Sequence, residues 1–106
     1  MNKQIVNEIF KGHDFSEDMI AAMLSIAAIK ASIYGNGIPS DEALTDFIQY
    51  EIIKCLKGYN PEDPETKEAL EAGVDKESII HCADIDRRKL IQQAEWIAFA
   101  LNKLKD

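Results

Sequence analysis

The sequence contains few of the residues that cross-link a chain or interrupt regular structure. Its 106 residues include two cysteines, three prolines and five glycines. Cys55 and Cys82 lie far apart without metal-ligand spacing, which argues against a disulfide framework or a zinc site. Each stands beside aliphatic residues in a predicted helix, and we expect both to be buried free thiols. So few prolines and glycines leave little room for long irregular segments.

A hydrophobic run long enough to cross a membrane is also missing. The longest apolar stretch, residues 19–34, is interrupted by Ser25, Lys30 and Ser32, whereas a spanning helix needs about 20 predominantly apolar residues. The first residues show none of the charged and apolar regions of a signal peptide. These features favour a cytoplasmic protein without a membrane partner.

Motifs for catalysis or cofactor binding are absent as well. The chain has no glycine-rich phosphate loop and no nucleophile elbow. Its two histidines, His13 and His81, each stand among scattered carboxylates, which is poor support for a zinc site. We therefore expect no catalytic residue, no cofactor and no metal.

The charge balance argues against a nucleic-acid partner. The chain has a net charge of −7, and an acidic surface repels phosphate backbones. Its one basic cluster, formed by Arg87, Arg88 and Lys89, is typical of a solvated helix face.

What the sequence does contain is a series of apolar-periodic runs with helix start and stop signals. These signals predict an all-α fold of five or six helices in a single domain, residues 1–106. The number of helices depends on Asp86, which either caps a separate last helix or lies inside a continuous helix that begins at Asp75. The predicted segments are 2–11, 16–35, 40–57, 63–72, 75–83 and 86–106, with N-caps at Ser16, Ser40, Asp63, Asp75 and Asp86 and C-terminal stops at Gly12, Gly35, Gly58 and Gly73.

The second of these segments has the strongest architectural signal. A helix over residues 19–34 would be apolar around most of its circumference, which is typical of a helix buried in a core. We therefore predict a bundle around a central apolar helix that is enclosed by the third and the last helices.

Glu51 departs from the pattern of the third helix. It projects into an apolar stripe that includes Leu44 and Ile48, where a carboxylate is costly unless it is paired. Either its head group reaches water at the packing edge, or it forms an internal ion pair. Lys30 of the central helix is then a better candidate partner than Lys54.

The last helix carries two large aromatic residues away from its packing face. Helical projection places Trp96 and Phe99 among polar residues, on the side opposite Leu90. Either another helix of the chain covers them, or they form a contact surface for a second chain, including a homodimer. The packing face itself is predicted from apolar residues that recur alternately every four and every three positions, namely Leu90, Ala94, Ile97, Leu101 and Leu104.

Acidic residues are concentrated in one short part of the chain. Residues 62–77 contain seven acidic residues and two lysines, which gives this segment a net charge of −5. Residues 84–106 contain five basic and four acidic residues, which gives a net charge of +1. Such a segment attracts a basic protein partner. The candidate contact residues are Glu62, Asp63, Glu65, Glu68 and Glu71, together with Trp96 and Phe99.

Three functions are compatible with these features. The leading hypothesis is a non-enzymatic interaction module, such as an inhibitor, immunity or antitoxin protein, that binds a basic protein through the acidic segment. The alternatives are a small all-α hydrolase that holds a divalent metal with Glu65, Glu68, Glu71 and a histidine, and a self-associating structural protein that uses Trp96 and Phe99.

Overall fold

The computed structural model describes residues 3–34 and 40–105, and within these ranges the chain forms five α-helices and no strand. This confirms the predicted all-α class. The expected helix start at Asn2 and the stop at Gly35 lie outside the described residues. The helices are α1 (Lys3–Ile9), α2 (Glu17–Tyr34), α3 (Asp41–Lys57), α4 (Pro64–Glu71) and α5 (Lys76–Lys105).

Side-chain caps fix the N-termini of α2 and α3 as predicted. The hydroxyl of Ser16 accepts a hydrogen bond from the backbone N–H of Met19 at 3.2 Å. Ser40 accepts from the N–H of Ala43, also at 3.2 Å. Each bond satisfies a donor that has no partner inside the helix. At the far end of α3, Gly58 has a φ of 72°, which favours glycine over residues with a side chain.

Helix α5 is one continuous helix of 30 residues. The prediction that Asp86 caps a separate helix is therefore wrong, and the continuous alternative is correct. The physical reason is that an aspartate inside a helix costs well below about 1 kcal/mol in propensity, less than breaking the backbone hydrogen bonds of a turn. No glycine or proline lies between Ile80 and Asp86 to force such a break.

The core lies where the three long helices meet. Helices α2, α3 and α5 contact one another, α1 contacts α3, and α4 contacts α5. Met23 of α2 and Ile52 of α3 are the largest fully buried side chains among the described residues. The core cluster consists of Ile9, Phe10, Ala22, Met23, Ala27, Ile48, Ile52, Leu56, Leu90 and Ala94.

Helices α2 and α5 run antiparallel. Lys105 in the last turn of α5 pairs with Asp18 in the first turn of α2, with Nζ and Oδ1 3.1 Å apart. Lys30 in the last part of α2 lies near Asp86 in the first half of α5. The end of α5 is therefore level with the start of α2.

Two parts of the expected core are open to solvent. Helix α2 is not enclosed on all sides, because Ile29 and Ile33 are 58% and 64% exposed. The predicted packing stripe of α5 also loses its cover near the end, where Leu101 is 38% and Leu104 is 83% exposed. Both leucines lie level with the first turn of α2, where that helix has only begun and covers just part of the stripe.

The alanines of α2 provide a test of this packing. Ala22 is 0% exposed and belongs to the core cluster, so replacing it with leucine inserts three carbons into a filled space. We expect Ala22→Leu to lower the free energy of unfolding by about 1–3 kcal/mol. Ala21 lies on the exposed side of the same helix, and Ala21→Leu should change stability by less than about 0.5 kcal/mol. Urea denaturation of both variants is the measurement, and equal stabilities would contradict this packing.

Candidate functional site

Helix α4 lies within the acidic segment, carries three of its seven acids, and is defined by strong local signals. Asp63 caps it by accepting a hydrogen bond from the N–H of Thr66 at 3.3 Å, and Pro64 occupies the first helical position. Gly73 follows the helix with a φ of 88°. The acidic side chains therefore project from a defined helix and not from an irregular loop.

A buried hydrogen bond attaches the start of α4 to α3. The hydroxyl of Tyr50 donates to Oδ1 of Asp63 at 3.1 Å, and Asp63 is only 8% exposed. Partial burial and this hydrogen bond raise the pKa of Tyr50. Asp63 was predicted to contact a partner, and in the folded chain its carboxylate serves as a cap and as the acceptor for Tyr50.

An ion pair makes a second attachment between the same helices. Lys54 of α3 pairs with Glu65 of α4, and the Lys54 ammonium also lies 5.6 Å from the centre of the Tyr50 ring. Burial lowers the pKa of Lys54, but the hydrogen bond to Glu65 and nearby negative charge outweigh burial, so the pKa is raised. Neither Tyr50 nor Lys54 was predicted as a site residue. Their spacing of four residues, which puts both on one side of α3, was the available signal.

The remaining predicted acidic residues lie on the surface. Glu62 is paired with Lys67 at 3.4 Å and both side chains are largely exposed. Glu68 and Glu71 are exposed, and no ion pair within the described ranges includes either of them. We call Glu62, Glu65, Glu68 and Glu71 the acidic face.

A cleft of about 820 Å³ lies beside α4, between it and the three long helices. One wall carries an ion pair between Lys30 Nζ and Glu51 Oε2, 2.7 Å apart. The predicted pairing of Glu51 with Lys30 is thus confirmed, and Glu51 is mostly covered, with 18% of its side chain exposed. The hydrogen bond to Glu51 is the main cause of the raised pKa of Lys30.

Both cysteines line this cleft as free thiols. Cys55 is half-buried, and its burial raises the pKa of the thiol. Cys82 is exposed, so the expectation that it is buried is wrong. It lies where the cleft is open to solvent, so its position beside aliphatic residues such as Ile79 does not bury it.

The raised pKa values favour the protonated forms of four groups that line the cleft, namely Lys30, Tyr50, Lys54 and Cys55. The arrangement offers paired charges beside apolar side chains such as Ile52 and Leu90.

The predicted aromatic pair lies on the outside of the bundle. Trp96 is 66% and Phe99 65% exposed, so no helix within the described ranges covers them. Lys103 lies over Phe99, with its Nζ 5.4 Å from the ring centre. The alternative in which another helix covers these residues is therefore wrong for the described part of the chain, and the contact surface stays a prediction.

The histidines and acids were also examined as metal ligands. His13 is half-buried and stacks on Phe15 with ring centres 5.6 Å apart, and His81 is exposed. In the parts of the chain that the structure describes, no group of three or more His, Cys, Asp or Glu side chains is placed to hold a metal ion. Nor does any helix there have the length and apolar character needed to cross a membrane.

Comparisons with known proteins found no family model, no curated protein and no solved structure that matches this chain. The acidic face, the cleft and the exposed aromatic residues are therefore the features from which a function is proposed.

The attachment of α4 can be tested by removing one hydroxyl. Tyr50→Phe leaves the buried carboxylate of Asp63 without this donor, and we expect it to lower the free energy of unfolding by about 1–2 kcal/mol. Hydrogen exchange should rise in α4 and stay unchanged in α2. Tyr59→Phe is the matched control, because no hydrogen bond of its hydroxyl is found within the described residues. Equal exchange in α4 for both variants would show that the hydroxyl does not hold the helix.

The raised pKa values also predict how stability depends on pH. Because Lys30, Tyr50, Lys54 and Cys55 all have higher pKa values in the folded chain, the folded state binds more protons than the unfolded state in alkaline solution. Their contribution is fully present below the unfolded pKa values and is lost as the pH rises through the folded ones. We expect the free energy of unfolding to fall above about pH 9, more steeply in the wild type than in Tyr50→Phe. Urea denaturation from neutral to alkaline pH measures this, and a constant stability would contradict it.

Proposed function

We propose that this protein is a non-enzymatic interaction module, of the inhibitor, immunity or antitoxin type, that binds a basic protein partner through the acidic face. The observation that carries the proposal is the placement of Glu68 and Glu71. Both are exposed and unpaired within the described residues, on a helix that Tyr50 and Lys54 attach to the bundle.

Fixed acidic side chains suit recognition better than the same residues on a mobile segment. A flexible acidic loop loses conformational entropy when it binds, whereas a helix that is already attached loses less. Negative charge concentrated on one surface also steers a basic protein into encounter and raises the association rate.

A further observation supports the compartment. Both cysteines are free thiols, which favours a reducing compartment such as the cytoplasm.

Charge reversal on the acidic face tests the proposal. We expect Glu68→Lys combined with Glu71→Lys to slow association with the basic partner by about tenfold at low salt, because both steering charges change sign. Glu65 is left unchanged, since its reversal would place a second cation against Lys54 and disturb α4. The partner is isolated from the native host by crosslinking to the wild-type protein, purified, and its association rate measured at low and at high salt.

The matched control is Glu8→Lys combined with Asp46→Lys, which makes the same change in net charge at exposed positions on α1 and α3. Its association rate should stay within about twofold of the wild type. An acidic partner, or equal association rates for the two double variants, would exclude the acidic face as the binding surface. Far-UV circular dichroism confirms that both variants keep their helices.

A further inference from the structure

The last three turns of α5 present an apolar surface that no described helix covers. Trp96 and Phe99 lie three residues apart on the side of α5 opposite Leu90, and they are 66% and 65% exposed. Two large aromatic side chains exposed together are unusual for a surface that stays in water, and Trp is enriched at the centres of protein interfaces.

The charges around Phe99 follow a symmetric pattern. Glu95 lies four residues before it and Lys103 four residues after it, so the three residues form one ridge along the helix. Neither Glu95 nor Lys103 takes part in an ion pair within the described ranges, and the Lys103 ammonium lies over the ring of Phe99. The ridge thus has an acid at one end, a base at the other and an aromatic ring between them.

Such a ridge is complementary to itself when it is turned around. If two copies of α5 pack antiparallel with Phe99 at the centre, Glu95 of each copy lies beside Lys103 of the other. Ridges of residues four apart pack side by side in the commonest class of helix contact. Two-fold symmetry then forms the ion pair twice and brings the two Phe99 rings together.

We propose that this surface binds a second copy of the chain, in an antiparallel α5–α5 homodimer centred on Phe99. The occupant is identified by charge complementarity, because the same ridge supplies both halves of each ion pair. This inference does not depend on the acidic face, whose residues lie on α4.

The contact is small, which sets the concentration at which it forms. A fully buried aromatic side chain covers on the order of 150–250 Å², so the aromatic residues of one copy fall below the roughly 800 Å² per partner of a standard interface. We therefore expect a reversible dimer that dissociates at about micromolar concentration, and the experiments span about 1–200 μM.

The first experiment measures association directly. Sedimentation equilibrium of the wild-type chain should show a monomer–dimer equilibrium, and the emission of Trp96, the single tryptophan of the chain, should shift to shorter wavelength as the dimer forms. Phe99→Glu should raise the dissociation constant at least tenfold. A wild type that stays monomeric at all these concentrations, or a dimer that persists in Phe99→Glu, overturns the proposal.

The second experiment tests the ion pairs with substitutions at exposed positions. Glu95→Lys alone and Lys103→Glu alone should each weaken self-association about tenfold, because each gives a ridge with like charges at both ends. An equimolar mixture of the two variants should form mixed dimers with near wild-type affinity, because acid again faces base in both pairs. With one variant labelled with nitrogen-15, native mass spectrometry separates mixed dimers from dimers of one variant.

The matched control is Glu8→Lys, which changes the same charge on α1 and should leave the dissociation constant within about twofold of wild type. Circular dichroism and urea denaturation establish that each variant is folded, and the charge variants decide the question if Phe99→Glu is unstable. Mixed dimers that are no more abundant than chance would place the contact elsewhere and overturn the proposed pairing.

Discussion

The structure depends on how closely α2 approaches its two long neighbours. Ala22 and Ala27 of α2 and Ala94 of α5 are almost completely buried, and the distance between helix axes is set by the side chains at the contact. With alanine at these positions, α2 contacts both α3 and α5, while α3 and α5 remain in contact with each other. The cleft forms along the same three helices, and its lining includes Ala27 beside the ion pair of Lys30 and Glu51.

Helix α4 is held in a different way. It has no buried residue of its own, and polar contacts of Asp63 and Glu65 with α3 contribute to its position. An element with little apolar burial opens more easily than the core, so the surface that we propose for binding is the less stable part of the described chain. Its polar contacts with α3 are therefore what keeps the acidic face in the fixed position that the proposed recognition requires.

Local signals made the helices predictable, and non-local contacts limited the rest. Ser16, Ser40 and the pair Asp63–Pro64 mark helix starts because their effect involves residues only a few positions away. The role of Asp63 was missed because its burial depends on where α3 places Tyr50. The exposure of Trp96 and Phe99 could not be decided from periodicity, since it depends on how many helices surround α5. Asp86 was predicted to start a helix because of its capping side chain, but it lies inside α5 because the backbone hydrogen bonds of a continuous helix are more favourable than one cap.

The continuity of α5 has a consequence for spectroscopy. Trp96 and the exposed thiol of Cys82 lie on the same helix, fourteen residues apart in the sequence, and the rise of 1.5 Å per residue separates them by about 21 Å. Burial raises the pKa of Cys55, so that thiol reacts more slowly with a label than Cys82 does. A dye attached to Cys82 would thus form an energy-transfer pair of fixed internal distance with Trp96, and any second distance seen in solution would come from another chain.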